Sequence, residues 1–202
     1  MRKADLTKNH GSFDDAIDRY RGFMQKVVGA QRVIKTQTEK QDVAESILLR
    51  LTANWERFVD EHLIDCVNVD HSQLNDFLGV TIPRHPSRSV CEAVLFGGRY
   101  RDFRSFGDLK GFTKKVLPKR SNPFLAISSG HALKMDEAFK IRNYLAHYSA
   151  ASRRALERLY DEPYKLKRFE EPGRFLLAKN AKRLWSYFDA FAGASSDMKA
   201  WY

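Results

Sequence analysis

The sequence predicts an all-α fold: an antiparallel up-and-down helix bundle with an irregular helical insertion. Four segments place their apolar residues three and four positions apart, the spacing that puts them on one face of a helix. No segment alternates apolar and polar residues over any length, as a half-buried strand does. Because amphipathic helices bury their apolar faces against one another, we expect residues 1–202 to form a single helical domain.

The first two helices are predicted from capping residues and apolar stripes. Ser12, with Asp15 three positions later, is a variant of the capping box and begins a helix that runs to about Ile34. The second helix extends from about Glu39 to Val69, a stretch without Pro or Gly that is roughly 45 Å long. Its apolar stripe is Ile47, Leu48, Leu51, Trp55, Phe58, Val59, Leu63 and Cys66. A helix of that length spans a small bundle from end to end.

An irregular insertion is predicted at about residues 71–131, where Pro and Gly are frequent. Ser87 or Ser89 is placed to cap a short helix that runs through Leu95. A second short helix is expected from Phe106 to Val116. The segment is too short and too basic to hold a core of its own, so we interpret it as an insertion between two bundle helices.

Two further bundle helices follow the insertion. One runs from about Leu133 to Tyr148, and residues 152–160 continue it after a kink. Pro163 ends that stretch, Pro172-Gly173 marks a loop, and the last helix runs from about Arg174 to Ala192. Four residues of the apolar stripes are expected to be mostly buried: Leu51, Trp55, Leu145 and Trp185.

Positive charge is concentrated in two segments of a chain whose net charge is +10. Residues 97–120 hold eight Lys and Arg against two acids, and residues 139–183 hold twelve against five. Clustering of this kind favours an anionic partner such as nucleic acid, although a solvated helical surface gives the same composition. The candidate RNA contacts are Lys114, Lys115, Lys119, Arg120, Arg153 and Arg154.

Cysteine usage and hydropathy restrict the cellular setting. Cys66 and Cys91 both lie among apolar residues, which predicts buried thiols in a reducing cytosol. Cysteines and histidines show no zinc-site spacing, so we expect no metal and no cofactor. The first ten residues lack the apolar core of a signal peptide, and no apolar run approaches the roughly 18 residues of a membrane span. The expectation is a cytoplasmic protein with no membrane partner.

One segment carries residue types suited to chemistry. Arg142 and Asn143 are followed by His147, with four residues between the arginine and the histidine. Arg57 and His62 repeat that spacing on the second helix, so the spacing alone has little specificity. The adjacent asparagine and the position on the third bundle helix favour the Arg142 pair. His62 is instead expected at the edge of the core.

These residues resemble the motif of the HEPN superfamily, whose ribonuclease members carry an arginine, usually a polar residue next to it, and a histidine after four to six positions. The aromatic and acidic segment 53–58 and Asn122-Pro123 also resemble that family. The resemblance covers about residues 38–192, without the first helix or the details of the insertion. It implies a metal-independent endoribonuclease that acts as a homodimer. It also implies a toxin or antiphage defence role, with an antitoxin or other regulatory protein as a further partner.

The residue types fit cleavage of RNA by attack of its 2′-hydroxyl on phosphorus. Histidine moves protons near neutral pH, and we expect His147 to be the only side chain on its helix that does so. Arg142 supplies fixed charge to the phosphate, and Glu56 is expected to hold it through a charge-assisted pair. Asn143 would orient the histidine or bond the phosphate, and Tyr148 would line the cleft.

The helix geometry predicts that one copy of the motif is incomplete. At about 100° per residue, Arg142 and His147 point about 140° apart on the helix. A second copy of the same helix would supply the missing partner, which is the arrangement that the family resemblance implies. We therefore predict a symmetric homodimer with this helix near its twofold axis.

Two other functions stay open. A catalytically silent HEPN-like module would bind RNA or a protein through the two basic segments. A DNA-binding regulator is less well supported, because the sequence has no helix-turn-helix signature of two compact helices around a glycine turn. The enzyme and the binding module differ in whether Arg142, Asn143 and His147 face an open cleft or a packed core.

Overall fold

Helices make up the regular structure of the chain, which confirms the all-α prediction. The computed structural model describes residues 3–29, 36–97, 103 and 105–202. Within those ranges the α-helices are α1 (Lys8–Gly29), α2 (Gln37–Val69), α3 (Ser72–Leu78), α4 (Arg88–Phe96), α5 (Phe106–Val116), α6 (Ser129–His147), α7 (Ala150–Asp161) and α8 (Pro172–Lys199). Two short 3₁₀ helices, Lys119–Ser121 and Pro123–Leu125, lie between α5 and α6. None of the described helices combines the length and apolar character needed to cross a membrane.

The long helix α2 is the centre of the bundle and packs on α1, α4, α6 and α8. It begins with a capping box, in which the Thr36 hydroxyl accepts a bond from the Glu39 N–H at 3.2 Å. The Glu39 carboxylate accepts the reciprocal bond from the Thr36 N–H at 2.9 Å. Leu51 and Trp55 are buried as predicted. The neighbours of α2 therefore share one apolar core with it.

The first helix begins earlier than predicted. α1 starts at Lys8, so Ser12 is an exposed residue inside the helix and not its cap. The added turn buries His10 completely. The predicted start at Ser12 left Gly11 outside the helix. Tertiary packing of the added turn outweighs the low helix propensity of this glycine. The predicted end at Ile34 lies outside the described residues.

The insertion packs against the bundle. Ser87, and not Ser89, caps α4 by accepting a bond from the Val90 N–H at 3.2 Å. Ser105 caps α5, which has the predicted bounds. α4 lies on α2, and α5 contacts α3 and α6. The core of the bundle continues into the insertion through Leu95, Leu109, Phe112, Val116 and Phe124.

The last helix begins at Pro172, so the predicted loop at Pro172-Gly173 is wrong. Proline suits the first turn because an N–H has no helical partner there. The Gly173 N–H donates to the Glu45 carboxylate on α2 at 2.6 Å. A Cβ at Gly173 would lie 2.8 Å from the Gln41 carbonyl oxygen. α8 approaches α2 this closely because residue 173 has no side chain.

A left-handed turn interrupts α8. Lys179, Asn180 and Ala181 have φ of 54°, 58° and 59°, and the helix resumes after them. The interruption changes the phase of the helix, and the Trp185 indole N–H donates to the Asn180 carbonyl at 3.2 Å. Trp185 is consequently only partly buried, whereas Leu145 on α6 is buried as predicted.

The Glu137 carboxylate on α6 binds the loop 162–171, which connects α7 and α8, through a hydrogen bond. Glu137 accepts a bond from the Tyr164 hydroxyl of this loop at 2.6 Å. It also accepts bonds from the Tyr187 hydroxyl of α8 at 3.3 Å and from the Lys134 ammonium of α6 at 2.8 Å. A single side chain thus joins α6, the loop and α8.

Both cysteines are buried and free, as predicted. Burial raises the pKa of the Cys66 thiol to about 12 and also raises the pKa of Cys91. A thiol with a raised pKa stays neutral at physiological pH, and the neutral form is the poorer nucleophile. The two cysteines therefore contribute to packing.

Candidate active site

The candidate site lies where α6 ends and α7 begins. α6 stops at His147 because Tyr148 adopts a left-handed conformation (φ 45°, ψ 29°), with its N–H bonded to the Tyr144 carbonyl at 2.8 Å. Ser149 then caps α7 in a capping box with Ser152. His147 and Tyr148 are both exposed. The junction therefore presents an imidazole and a phenol ring to solvent on consecutive residues.

Arg142 is held by a carboxylate from α2. Its Nη2 lies 3.3 Å from Glu56 Oε1 and 3.4 Å from Oε2, and its Nη1 donates to the Asn143 Oδ1 at 3.1 Å. The arginine and glutamate side chains are 21% and 17% exposed, so water screens the pair only partly. The structure thus brings Glu56 to Arg142 and turns the Asn143 carbonyl toward Arg142 as well. A guanidinium restrained by two neighbours is a permanent positive charge in a fixed position.

Asp60, which was not among the predicted residues, lies one turn beyond Glu56 on α2. Burial, followed by repulsion from Glu56, Glu61 and Glu92, raises the pKa of Asp60 to about 6. A carboxyl group with that pKa exchanges protons near neutral pH, which is typical of functional sites. The four-residue spacing of the two acids was the available signal in the sequence.

α6 carries a second histidine, so the expectation that His147 is the only histidine on this helix is wrong. The helix begins at Ser129 and includes His131, whose Nδ1 lies 2.7 Å from the Asp197 carboxylate. Burial raises the pKa of Asp197, but hydrogen bonds from the Ser128 N–H and from His131 outweigh burial and lower it below its usual value. His131 is therefore engaged by a carboxylate on α8, near the opposite end of α6 from the candidate site.

The second Arg–His pair has the opposite arrangement. His62 is fully buried, deeper than predicted, and its Nε2 lies 2.6 Å from the Tyr202 hydroxyl. Burial, with a smaller effect of His10 at a ring separation of 4.9 Å, lowers the pKa of His62 to about 3. Arg57 is exposed and lies 3.8 Å from Glu61. This pair has no imidazole in contact with solvent.

The predicted RNA contacts fall into two groups. Arg120 is exposed but bonded to Asp70 at 3.2 Å, and Arg153 is bonded to Glu157 at 3.1 Å while its guanidinium stacks 4.3 Å from the centre of the Phe169 ring. The other four are exposed side chains: Lys114, Lys115, Lys119 and Arg154. Three arginines of the basic segment 97–120 lie outside the described residues: Arg99, Arg101 and Arg104.

The site offers two kinds of chemical group: an exposed imidazole and a restrained guanidinium. Such groups move protons and stabilise negative charge, the two requirements of phosphodiester cleavage. In the part of the chain that the structure describes, no three His, Cys, Asp or Glu residues lie together as a metal site would require. No protein-family model, curated protein or solved structure matches this chain.

Proposed function

We propose that the chain is a metal-independent endoribonuclease of the HEPN type, with Arg142 and His147 as its catalytic residues. The observation that carries the proposal is the contrast between the two on α6. Glu56 and Asn143 restrain the arginine, and the histidine five positions later is exposed at the end of the same helix. A fixed cation and a proton-exchanging group at the protein surface are what a phosphodiester substrate requires.

The chemistry begins with the 2′-hydroxyl of RNA. An imidazole accepts its proton while the 2′-oxygen bonds to phosphorus, and the guanidinium of Arg142 stabilises the added negative charge. The bond from phosphorus to the 5′-oxygen then breaks, and a second imidazole donates a proton to that oxygen. The products are a 2′,3′-cyclic phosphate and a 5′-hydroxyl.

Two imidazoles are available if two copies of His147 share one site. On one helix Arg142 and His147 diverge by about 140°, so we propose a symmetric homodimer with α6 near the twofold axis. Sedimentation at tens of micromolar, a range that populates weak dimers, should show twice the monomer mass. Monomer alone at that concentration would contradict the shared site.

The exposed lysines at the end of α5 and in the 3₁₀ helix that follows it are proposed to contact RNA phosphates. Contacts of that kind release counterions, so affinity for RNA should fall steeply with salt. Charge reversal at Lys114, Lys115 and Lys119 should weaken binding and flatten the salt dependence, with the helical circular-dichroism spectrum unchanged. Charge reversal at the exposed Arg57 on α2 is the matched control and should leave binding near the wild-type value.

Incubation of the purified protein with total RNA, with and without a chelator, is the direct test of the enzyme. We expect cutting in both conditions, with cyclic phosphate at the new 3′ ends, and none for His147→Ala. Cutting that requires a divalent metal, or that survives in folded His147→Ala, would refute the assignment.

A second candidate is a catalytically silent HEPN-like module that binds RNA or a protein. It is favoured by the limited exposure of Arg142, whose contacts with Glu56 and Asn143 also suit a purely structural role. Salt-dependent RNA binding without cleavage would support this reading. Under either reading the resemblance suggests a cytoplasmic toxin or defence effector with an antitoxin or regulatory partner.

A further inference from the structure

The ring of Tyr148 is supported on one side and open on the other. It is 66% exposed, more than Phe23 and Phe77, which are each 50% exposed. Its supporting neighbour is the buried Tyr144, at a ring separation of 5.2 Å and an interplanar angle of 60°. Tyr144 in turn contacts Phe169 at 5.5 Å. A row of packed aromatic rings therefore ends in one ring that faces solvent.

The backbone at this position is unfavourable for tyrosine. A φ of 45° places Tyr148 in the left-handed region, where a Cβ crowds the following carbonyl and glycine is the usual residue. The exposed ring buries little surface that would offset this strain. The left-handed conformation ends α6, but glycine would adopt it without strain, so a strained residue with an exposed ring is a candidate functional position.

The residues that lie close to Tyr148 in the chain suit a nucleic acid. His147 precedes it directly and is exposed, and the exposed Arg154 lies near the start of α7. Arg153 stacks on Phe169, the far ring of the same aromatic row. Cations that meet phosphates beside a ring that stacks on a base are the two elements of single-strand recognition.

We infer that Tyr148 is the stacking platform for one unpaired nucleobase of the RNA, next to the cleaved phosphate. The inference rests on the proposed ribonuclease function and narrows it. Bases inside a duplex are stacked on each other and cannot stack on the Tyr148 ring, so paired RNA is excluded from this subsite. The position immediately after His147 places the stacked nucleotide beside the group proposed to move protons.

The test uses a probe that the enzyme cannot cut. A single-stranded 2′-O-methyl RNA oligonucleotide that carries 2-aminopurine lacks the attacking hydroxyl, and the fluorescence of 2-aminopurine is quenched when the base stacks. Wild-type protein should quench the probe. Tyr148→Gly should lose the quenching and about ten-fold or more of the affinity, while its melting temperature stays the same or rises. Tyr148→Trp should retain both signals, and Phe77→Ala is the matched exposed-aromatic control.

Each remaining outcome has a definite reading. Unchanged affinity and quenching in Tyr148→Gly overturn the inference, as does equal binding of the same probe in a duplex. A loss of dimer in sedimentation without a loss of quenching would assign the ring to a contact between copies and also overturn it. Quenching by a protein that does not cut natural RNA would leave the platform standing and reject the ribonuclease, so the two failures are distinguishable.

Discussion

The chain contains two arginine–histidine pairs of identical spacing, and the two pairs differ in which member is exposed to solvent. On α2, His62 is buried and Arg57 is exposed. On α6, Arg142 is restrained in a partly buried ion pair and His147 is exposed. Five positions along a helix rotate a side chain by about 140°, so the two members cannot both face the same neighbour. The apolar stripe of each helix decides which of them faces the core.

The comparison shows that residue spacing is insufficient to define this type of site. Burial lowers the pKa of His62 to about 3, which removes it from proton exchange at neutral pH. Only the α6 pair combines an accessible imidazole with a restrained guanidinium. The differences between the pairs can be tested directly by parallel substitutions.

The largest difference is expected between the two histidines in RNA cleavage. His147→Ala should abolish detectable cleavage, a loss toward the upper end of the about 100- to 10,000-fold contribution of a general acid or base. His62→Ala removes a buried ring and should lower the melting temperature, while the rate per folded molecule stays near wild type. Initial rates on labelled RNA, corrected for folded fraction by circular dichroism, measure both. Equal losses of activity in the two variants would remove the distinction between the pairs.

Substitutions of the two arginines should differ in cleavage rate by less than substitutions of the two histidines. Arg142→Ala should lower the cleavage rate by about 100- to 1,000-fold, because a preorganised charge on the transition state is lost. Arg142→Lys should recover only part of that rate, since an ammonium lacks the planar fork of donors. Arg57→Ala should retain activity and change the free energy of unfolding by about 0.5 kcal/mol or less, as for an exposed pair with Glu61. Full activity of Arg142→Lys in single-turnover assays would contradict a geometric role for the guanidinium.

Acid should destabilise the protein through the two buried histidines, His10 and His62. Burial, followed by the charge of Lys199, lowers the pKa of His10 to about 4, and the pKa of His62 is about 3. Below pH 6.5 the unfolded chain binds protons that the folded chain does not, so stability present above that pH is lost as the pH falls toward these values. The loss is about 1.4 kcal/mol per pH unit for each histidine.

Urea unfolding between pH 7 and pH 4.5 measures this effect. His62→Gln should make the decrease in the free energy of unfolding below pH 6.5 less steep. The variant should also be less stable than the wild type at neutral pH. His147→Ala should follow the wild-type slope, because the imidazole it removes is exposed. A slope that is the same in all three proteins would show that other groups control acid unfolding.

Local signals in the sequence predicted the helices better than the contacts between them. α5 has the predicted bounds because Ser105 is a cap and Leu117-Pro118 follows the last turn. The break in α8 was not predictable, because Lys179 and Asn180 are compatible with a helix and the left-handed turn depends on packing. Pro172-Gly173 gave a turn signal, yet the close approach to α2 makes these residues the first turn of a helix.

The candidate site shows the same limit. The motif Arg142, Asn143 and His147 and the pairing with Glu56 were expected, although that pair joins residues 86 positions apart. The bond from the arginine to the Asn143 carbonyl was not expected, and neither was the partner of His131 on α8. Exposure of each side chain depends on how neighbouring helices pack, and helical periodicity gives only its direction around one helix.

The bonds that Glu137 accepts from Tyr164 and Tyr187 have a consequence for proteolysis. The loop 162–171 carries three exposed trypsin sites, Lys165, Lys167 and Arg168. A protease needs several residues of extended chain, so cleavage requires the loop to open locally. Glu137→Ala should therefore speed tryptic nicking of this loop, measured by mass spectrometry, with a smaller effect on global unfolding. The loop also carries Phe169, which packs against Tyr144, the ring that supports Tyr148. Opening of the loop would therefore weaken the packing behind the exposed Tyr148 ring.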